Sequence, residues 1–183
     1  MKRGLVLSAA LIAMGGLVGC GESPTSPTAN QSSFVVGQFA GTWTGATVLS
    51  GVSGGECVGE DLRNSVPVPD QGTVSLTQKS TDVTAVIRSS STGLTCQYDG
   101  SASFTGFAAS AVSCDKEILF QCSNGQSRIL RPIGSTFTAT QNGITATGTV
   151  TTSYNVFFVD PVTHDELPLA GLTVESQLSA IRR

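Results

Sequence analysis

Few residues of this chain have the chemistry for a reaction, and their spacing narrows them further. Ser53 sits in Gly51-Val52-Ser53-Gly54-Gly55, a formal G-x-S-x-G. That pattern activates a serine only on a sharp turn between a strand and a helix. Glu56, Cys57, Val58 and Gly59 follow and read as no helix, so a glycine-rich loop is expected. A serine nucleophile also needs a base, and the single histidine is His164. It lies in Asp160-Pro161-Val162-Thr163-His164-Asp165-Glu166-Leu167-Pro168, where flanking carboxylates could complete a metal site. One imidazole in a proline-bounded polar loop reads instead as solvated. Glu56, Glu60, Asp61 and Asp70 offer the hard oxygen ligands that calcium takes. They lack the spacing of a calcium loop and read as a solvated acidic stretch. No catalytic residue, metal or cofactor is expected.

The cysteines carry more information. They are Cys20, Cys57, Cys96, Cys114 and Cys122, and no two form C-x-x-C, so zinc-ribbon and thioredoxin-type sites have no support. An odd count in an exported chain asks for one cysteine with a separate role. The N-terminus supplies it. Met1, Lys2 and Arg3 precede an apolar and small-residue run from Gly4 to Val18, the layout of a secretion signal. The run is shorter than the roughly 20 residues of a membrane span. It ends in Leu17-Val18-Gly19-Cys20, which resembles the lipobox of bacterial lipoproteins. That resemblance implies cleavage before Cys20, a diacylglyceryl group on its sulfur and an acylated amine. Two or more acyl chains, at roughly 0.8 kcal/mol per buried methylene, anchor a protein stably. In lipoproteins of two-membrane bacteria an Asp after the lipidated cysteine is a common inner-membrane retention signal. Here Gly21 follows, so the expected location is the cell envelope, lipid-anchored in the outer membrane and facing the periplasm or the surface. The other four cysteines, in an oxidising compartment, suggest two disulfides, with three pairings open.

Removal of residues 1–19 takes Lys2 and Arg3 away and leaves eight basic against thirteen acidic residues, a net charge of −5. An acidic domain of this kind has no electrostatic footprint for nucleic acid. Residues 20–33 comprise the lipidated cysteine and Gly21–Ser33, which reads GESPTSPTANQSS. With two Ser/Thr-Pro units and no apolar periodicity it is expected to be a disordered tether. As a flexible coil it would hold the domain about 20 Å from the lipid. Residues 34–183 form the third part, one domain with a core.

The elements that must position any site in that domain are strands. Val74 and Leu76 alternate with Thr73, Ser75 and Thr77; Phe137 and Ala139, then Ala146, Gly148 and Val150, alternate with threonines. Asn142-Gly143 lies between those last two runs, a strong hairpin signal. Period-two alternation marks half-buried antiparallel strands. The expected strands are 40–49, 72–79, 82–90, 93–100, 107–114, 126–133, 135–141, 144–154 and 171–181, and no helix is expected after residue 33. The fold class is all-β: an antiparallel up-and-down β-barrel of about eight to nine strands, with an immunoglobulin-like β-sandwich as the alternative.

Gly41-Thr42-Trp43 resembles the G-x-W opening strand of lipocalins and related calycin barrels. In that family the tryptophan packs at the closed end beneath an arginine from near the final strand. The resemblance implies that Arg182, which shares the parity of Leu178 and Ala180, stacks on Trp43. It also implies that the long segment 51–71 acts as a lid over the open mouth. Cys57 lies in that segment, and a bond to Cys96 is expected to pin it to the barrel wall. Cys114 is then expected to pair with Cys122, with seven residues between them.

Ala85, Ala139, Ala146, Gly148 and Ala180 share the inner face, so the barrel either tapers to a packed interior or encloses a cavity. The functional expectation is a non-enzymatic, membrane-anchored lipoprotein, its partners the membrane through Cys20 and a small apolar ligand in the barrel mouth. The alternative is an envelope protein-interaction or protease-inhibitor-like domain with a filled core. An apolar cavity of several hundred Å³ would favour the first.

Overall fold

The computed structural model describes residues 36–66 and 68–183. The signal segment 1–19, Cys20 and the tether lie outside the described residues. Ten strands and one helix follow in order: β1 (Gly41–Gly54), α1 (Glu56–Asn64), β2 (Asp70–Lys79), β3 (Asp82–Ser89), β4 (Thr95–Ala102), β5 (Gly106–Cys114), β6 (Ile118–Gln121), β7 (Ser127–Asn142), β8 (Thr145–Val159), β9 (Glu166–Pro168) and β10 (Leu172–Arg182). Eight strands close a ring, β1-β2-β3-β4-β5-β7-β8-β10 and back to β1, every pair antiparallel. This is an up-and-down barrel of lipocalin-like form, not a sandwich. β6 and β9 flank β7 and β8 outside the ring.

Alternation sends one face of each strand inward. Val74, Leu76, Val83, Ala85, Phe137 and Ala139 are buried, while Thr73, Ser75, Thr77, Thr136 and Thr138 are exposed. The windows 126–133 and 135–141 are one strand, β7, because a bulge between Pro132 and Gly134 resets its parity. Leu130 and Ser135, of opposite parity in sequence, therefore both face inward and are 4% and 5% exposed. An inserted residue of this kind adds twist without ending the strand.

The end carrying Trp43 is filled. An aromatic column runs up the axis: Phe39 to Phe107 at 5.4 Å, Phe107 to Phe137 at 4.8 Å and Phe137 to Tyr98 at 6.0 Å between centroids, all edge-on. Edge-to-face packing of this kind is favourable beyond the area it buries. Ala85, Ala139, Ala146 and Ala180 pack around it, and the space left is about 10 Å³, at the threshold for one water. The segment before β1 seals this end. Gly37 N donates to Ser103 O at 3.0 Å, and Gln78 clamps the segment through Phe39 N at 2.8 Å and Gly37 O at 2.8 Å.

At the opposite end β1, β7, β8 and β10 run past the shorter strands β2 to β5. Their inner surfaces form a second core of Leu130, Tyr154, Val156 and Leu172, and α1 lies on it through Val58 and Leu62. The expectation of a strandless loop with no helix is corrected here. β1 continues to Gly54, Gly54 and Gly55 turn the chain at φ 73° and 77°, and a helix follows. What makes it is tertiary contact: Val58 is fully buried, Cys57 is bonded covalently, and Asp61 accepts from Ser123 N at 2.6 Å and Ser123 Oγ at 2.7 Å.

The disulfide pairing is also corrected. The bonds are Cys57–Cys122 and Cys96–Cys114, not Cys57–Cys96 and Cys114–Cys122. Cys96 and Cys114 stand directly opposite each other on β4 and β5, with Cα atoms 4.1 Å apart. β6 then carries the chain back to β7 and delivers Cys122 to the foot of α1, where its Cα is 6.0 Å from that of Cys57. Both separations lie within the roughly 7 Å a disulfide can span.

Candidate functional site

The mouth of the barrel holds a cavity of about 170 Å³. Its position follows from the strands. β5 pairs with β4 from Phe107 to Cys114 but with β7 only from Gly106 to Ser110. The wall between β5 and β7 therefore opens above Tyr98, where the aromatic column ends. Val74, Ile87, Cys96, Val150, Val174 and Leu178 supply most of the apolar lining. The small residues Gly45 and Gly72 also border it.

At its base lies a chain of buried hydroxyls. Tyr98 Oη and Ser135 Oγ are 2.9 Å apart, and Ser135 Oγ and Thr152 Oγ1 are 2.8 Å apart. Tyr98, Ser135 and Thr152 are 2%, 5% and 9% exposed. Tyr154 stands two residues along β8 on the same face, and with Tyr98 and Thr152 it borders the cavity. Burial pushes both phenols up, Tyr154 to about 12, so both are neutral donors at ordinary pH. Unpaired buried hydroxyls cost free energy, which is why these three are linked to one another.

The rim is polar and ordered. Asp70 Oδ1 accepts from Ser91 N at 3.1 Å. Ser89 Oγ accepts from Thr92 N at 3.1 Å and Thr92 Oγ1 from Leu94 N at 3.1 Å. These bonds fix the β3–β4 turn that forms one lip. Asp70 and Arg88 are the charged side chains on the lining among the described residues, and both stand at this rim.

The residues singled out from sequence are placed as follows. Trp43 is 1% exposed and donates Nε1–H to Phe39 O at 3.0 Å. It is the register partner of Arg182, whose guanidinium carbon is 5.9 Å from the indole centroid, with one NH at 3.4 Å from Gln38 O. Ser53 pairs with Thr173 in the β1–β10 ladder. A strand does precede it and a helix follows, but the left-handed turn falls on Gly54, Gly55 and Glu56, so Ser53 itself is an ordinary strand residue. His164 sits in the turn after β8, its N–H donated to Asp160 O at 2.9 Å. Asp160 Oδ1 accepts from Val162 N at 2.7 Å and Thr163 N at 3.0 Å, and those two backbone donors hold its carboxyl below the usual range. Glu56, Glu60 and Asp61 lie on α1, and Asp70 opens β2. α1 contributes no residue to the cavity lining.

Sequence reasoning missed Tyr98, Ser135, Thr152 and Tyr154. Tyr98 and Thr152 carry a usable signal, a polar group on the inward parity of an otherwise apolar strand face. No protein-family model matches the chain, and no curated protein matches it.

Proposed function

We propose that this chain is a lipid-anchored envelope protein, held by Cys20, whose barrel takes a small apolar ligand at its mouth without chemically changing it. The observation that carries the ligand reading is the mouth cavity: apolar walls, four hydroxyls at the base, and a rim braced by side chains. Binding sites are concave, mostly apolar and fitted with a few convergent polar groups. The cavity is smaller than the several hundred Å³ of drug-sized sites, so the ligand is correspondingly small. The anchoring reading rests on Leu17-Val18-Gly19-Cys20. Native mass spectrometry of the chain released from membranes tests the first reading. A co-released small molecule supports it; a chain that is always empty and binds no apolar probe overturns it. Cys20→Ser tests the second, and should abolish lipid labelling and membrane retention. A Cys20→Ser protein still processed and membrane-bound would overturn the anchor.

A second reading, a protein-interaction surface, is favoured by one observation. On the outer face beside the mouth, Leu119, Ile129, Phe157 and Pro168 form a continuous cross-strand row, with Leu119 72% exposed. Exposed apolar rows of this kind suit protein contacts. Leu119→Asp should weaken any crosslinked partner complex and leave probe binding in the cavity unchanged.

A further inference from the structure

The geometry points to the chemical class of the ligand: a compact, neutral molecule of about one aromatic ring in size, carrying one hydrogen-bond-accepting oxygen that the Thr152 end of the hydroxyl chain anchors. This rests on the reading of the mouth as a ligand site.

Size comes from volume. The cavity is about 170 Å³, and an apolar cavity of about 150 Å³ is known to hold benzene. The filled lower half, with about 10 Å³ left, stops any longer molecule from threading down the axis. A long acyl chain or a fused polycycle therefore does not fit.

Neutrality comes from the lining. Both charged side chains among the described lining residues, Asp70 and Arg88, are at the rim. Among the described residues no cation reaches the base to offset the cost of stripping water from an anion.

The acceptor comes from counting protons. Tyr98, Ser135 and Thr152 carry one hydroxyl proton each, and the two contacts between them use two. A phenol is the better donor, which orients the chain from Tyr98 through Ser135 to Thr152. The remaining proton of this chain is on Thr152 Oγ1, on the cavity lining, and the neutral Tyr154 hydroxyl beside it is a second donor at the same end. An apolar ligand leaves one donor at the Thr152–Tyr154 end without an acceptor; a carbonyl or ether oxygen satisfies it.

The test uses the full chain with both disulfides intact and three probes, acetophenone, ethylbenzene and benzoate, titrated by calorimetry at pH 7. Acetophenone and ethylbenzene should both bind, and benzoate should bind at least tenfold more weakly than acetophenone. Thr152→Val should weaken acetophenone about tenfold relative to ethylbenzene, the loss of one buried hydrogen bond, and retained ethylbenzene binding also shows that the variant is folded. Tyr154→Phe is the second variant, and should weaken acetophenone less than Thr152→Val does. If neither neutral probe binds the wild-type chain, the mouth is not a ligand site and the proposed function falls with it. If both bind and the ratio of their affinities is the same in Thr152→Val, the hydroxyl anchor is overturned while the site stands. Benzoate binding as tightly as acetophenone overturns neutrality, and saturable 1:1 binding of palmitate inside the barrel overturns the size limit.

Discussion

Gly59→Ala should destabilise this protein, although the same change in an exposed helix stabilises by about 1 kcal/mol. Gly59 lies inside α1 and is buried. A Cβ at this position would stand 1.8 Å from Gly54 O and 3.0 Å from Gly54 C. Ordinary contact requires α1 to retreat by more than about 1 Å, a displacement on the scale of severe overpacking. Three restraints oppose that retreat: the Cys57–Cys122 bond, the two Ser123 hydrogen bonds to Asp61, and Val58, fully buried in the upper core. Overpacking costs about 1–3 kcal/mol, and a backbone clash belongs at the top of that range. After the propensity gain the net loss is about 2 kcal/mol. For a domain of this size that lowers Tm by roughly 4–8 °C. Trp43, the sole tryptophan and 1% exposed, reports unfolding by its fluorescence. Gly134→Ala is the control: a Cβ there meets nothing within 4 Å, and the change should be neutral or stabilise by up to about 1 kcal/mol. A Gly59→Ala protein that melts above wild type would refute the placement of α1 against the end of β1.

Peptide mapping under non-reducing conditions should recover Cys57 with Cys122 and Cys96 with Cys114. Removing the first pair should cost more than removing the second, about 4 against about 3 kcal/mol in the chain-entropy account, because their sequence separations are 65 and 18. Absorbance titration at 295 nm should show neither of the two tyrosines ionising at pH 10 in the native protein, since burial raises both. A phenol whose folded pKa is raised adds stability that is complete below the unfolded value near 10 and is lost as pH climbs to about 12. Unfolding should therefore ease between those limits, less steeply in Tyr154→Phe; a full tyrosine signal at pH 10 without unfolding would contradict their burial. A double-mutant cycle on Trp43→Phe and Arg182→Ala should give a coupling of roughly 0.5–2 kcal/mol, and additive losses would dissolve the stack.

The barrel was legible because its signals are local and repeated. Each ring strand carries several turns of in–out alternation, and Asn142-Gly143 marks the β7–β8 hairpin, where Gly143 adopts φ 61°. What escaped depends on partners distant in the chain. Gly59 argues against a helix by propensity, yet close packing on Gly54 leaves room there for no side chain; the residue that hides α1 is the one that permits it. The bulge in β7 reverses parity within a strand, so a reading by alternation breaks the strand at Gly134. The cysteines obey geometry that sequence spacing does not contain: the local pair is separated by β6, and the true cross-strand pair depends on a register shift between Gln97 and Tyr98.

The site was hidden for the same reason, with one further step. Inward parity places Tyr98 and Thr152 in the barrel interior, but parity alone cannot bring them to one height on the barrel axis. Their meeting goes through Ser135, which shares the inward parity of Phe137 and Ala139 and stands directly opposite Thr152 on β8. Without the Ser135 hydroxyl, Tyr98 would be left with an unpartnered buried hydroxyl at a cost of roughly 1–3 kcal/mol. The bulge in β7 then turns Leu130 inward as well, so that one strand supplies both the polar base of the cavity and part of the second core above it.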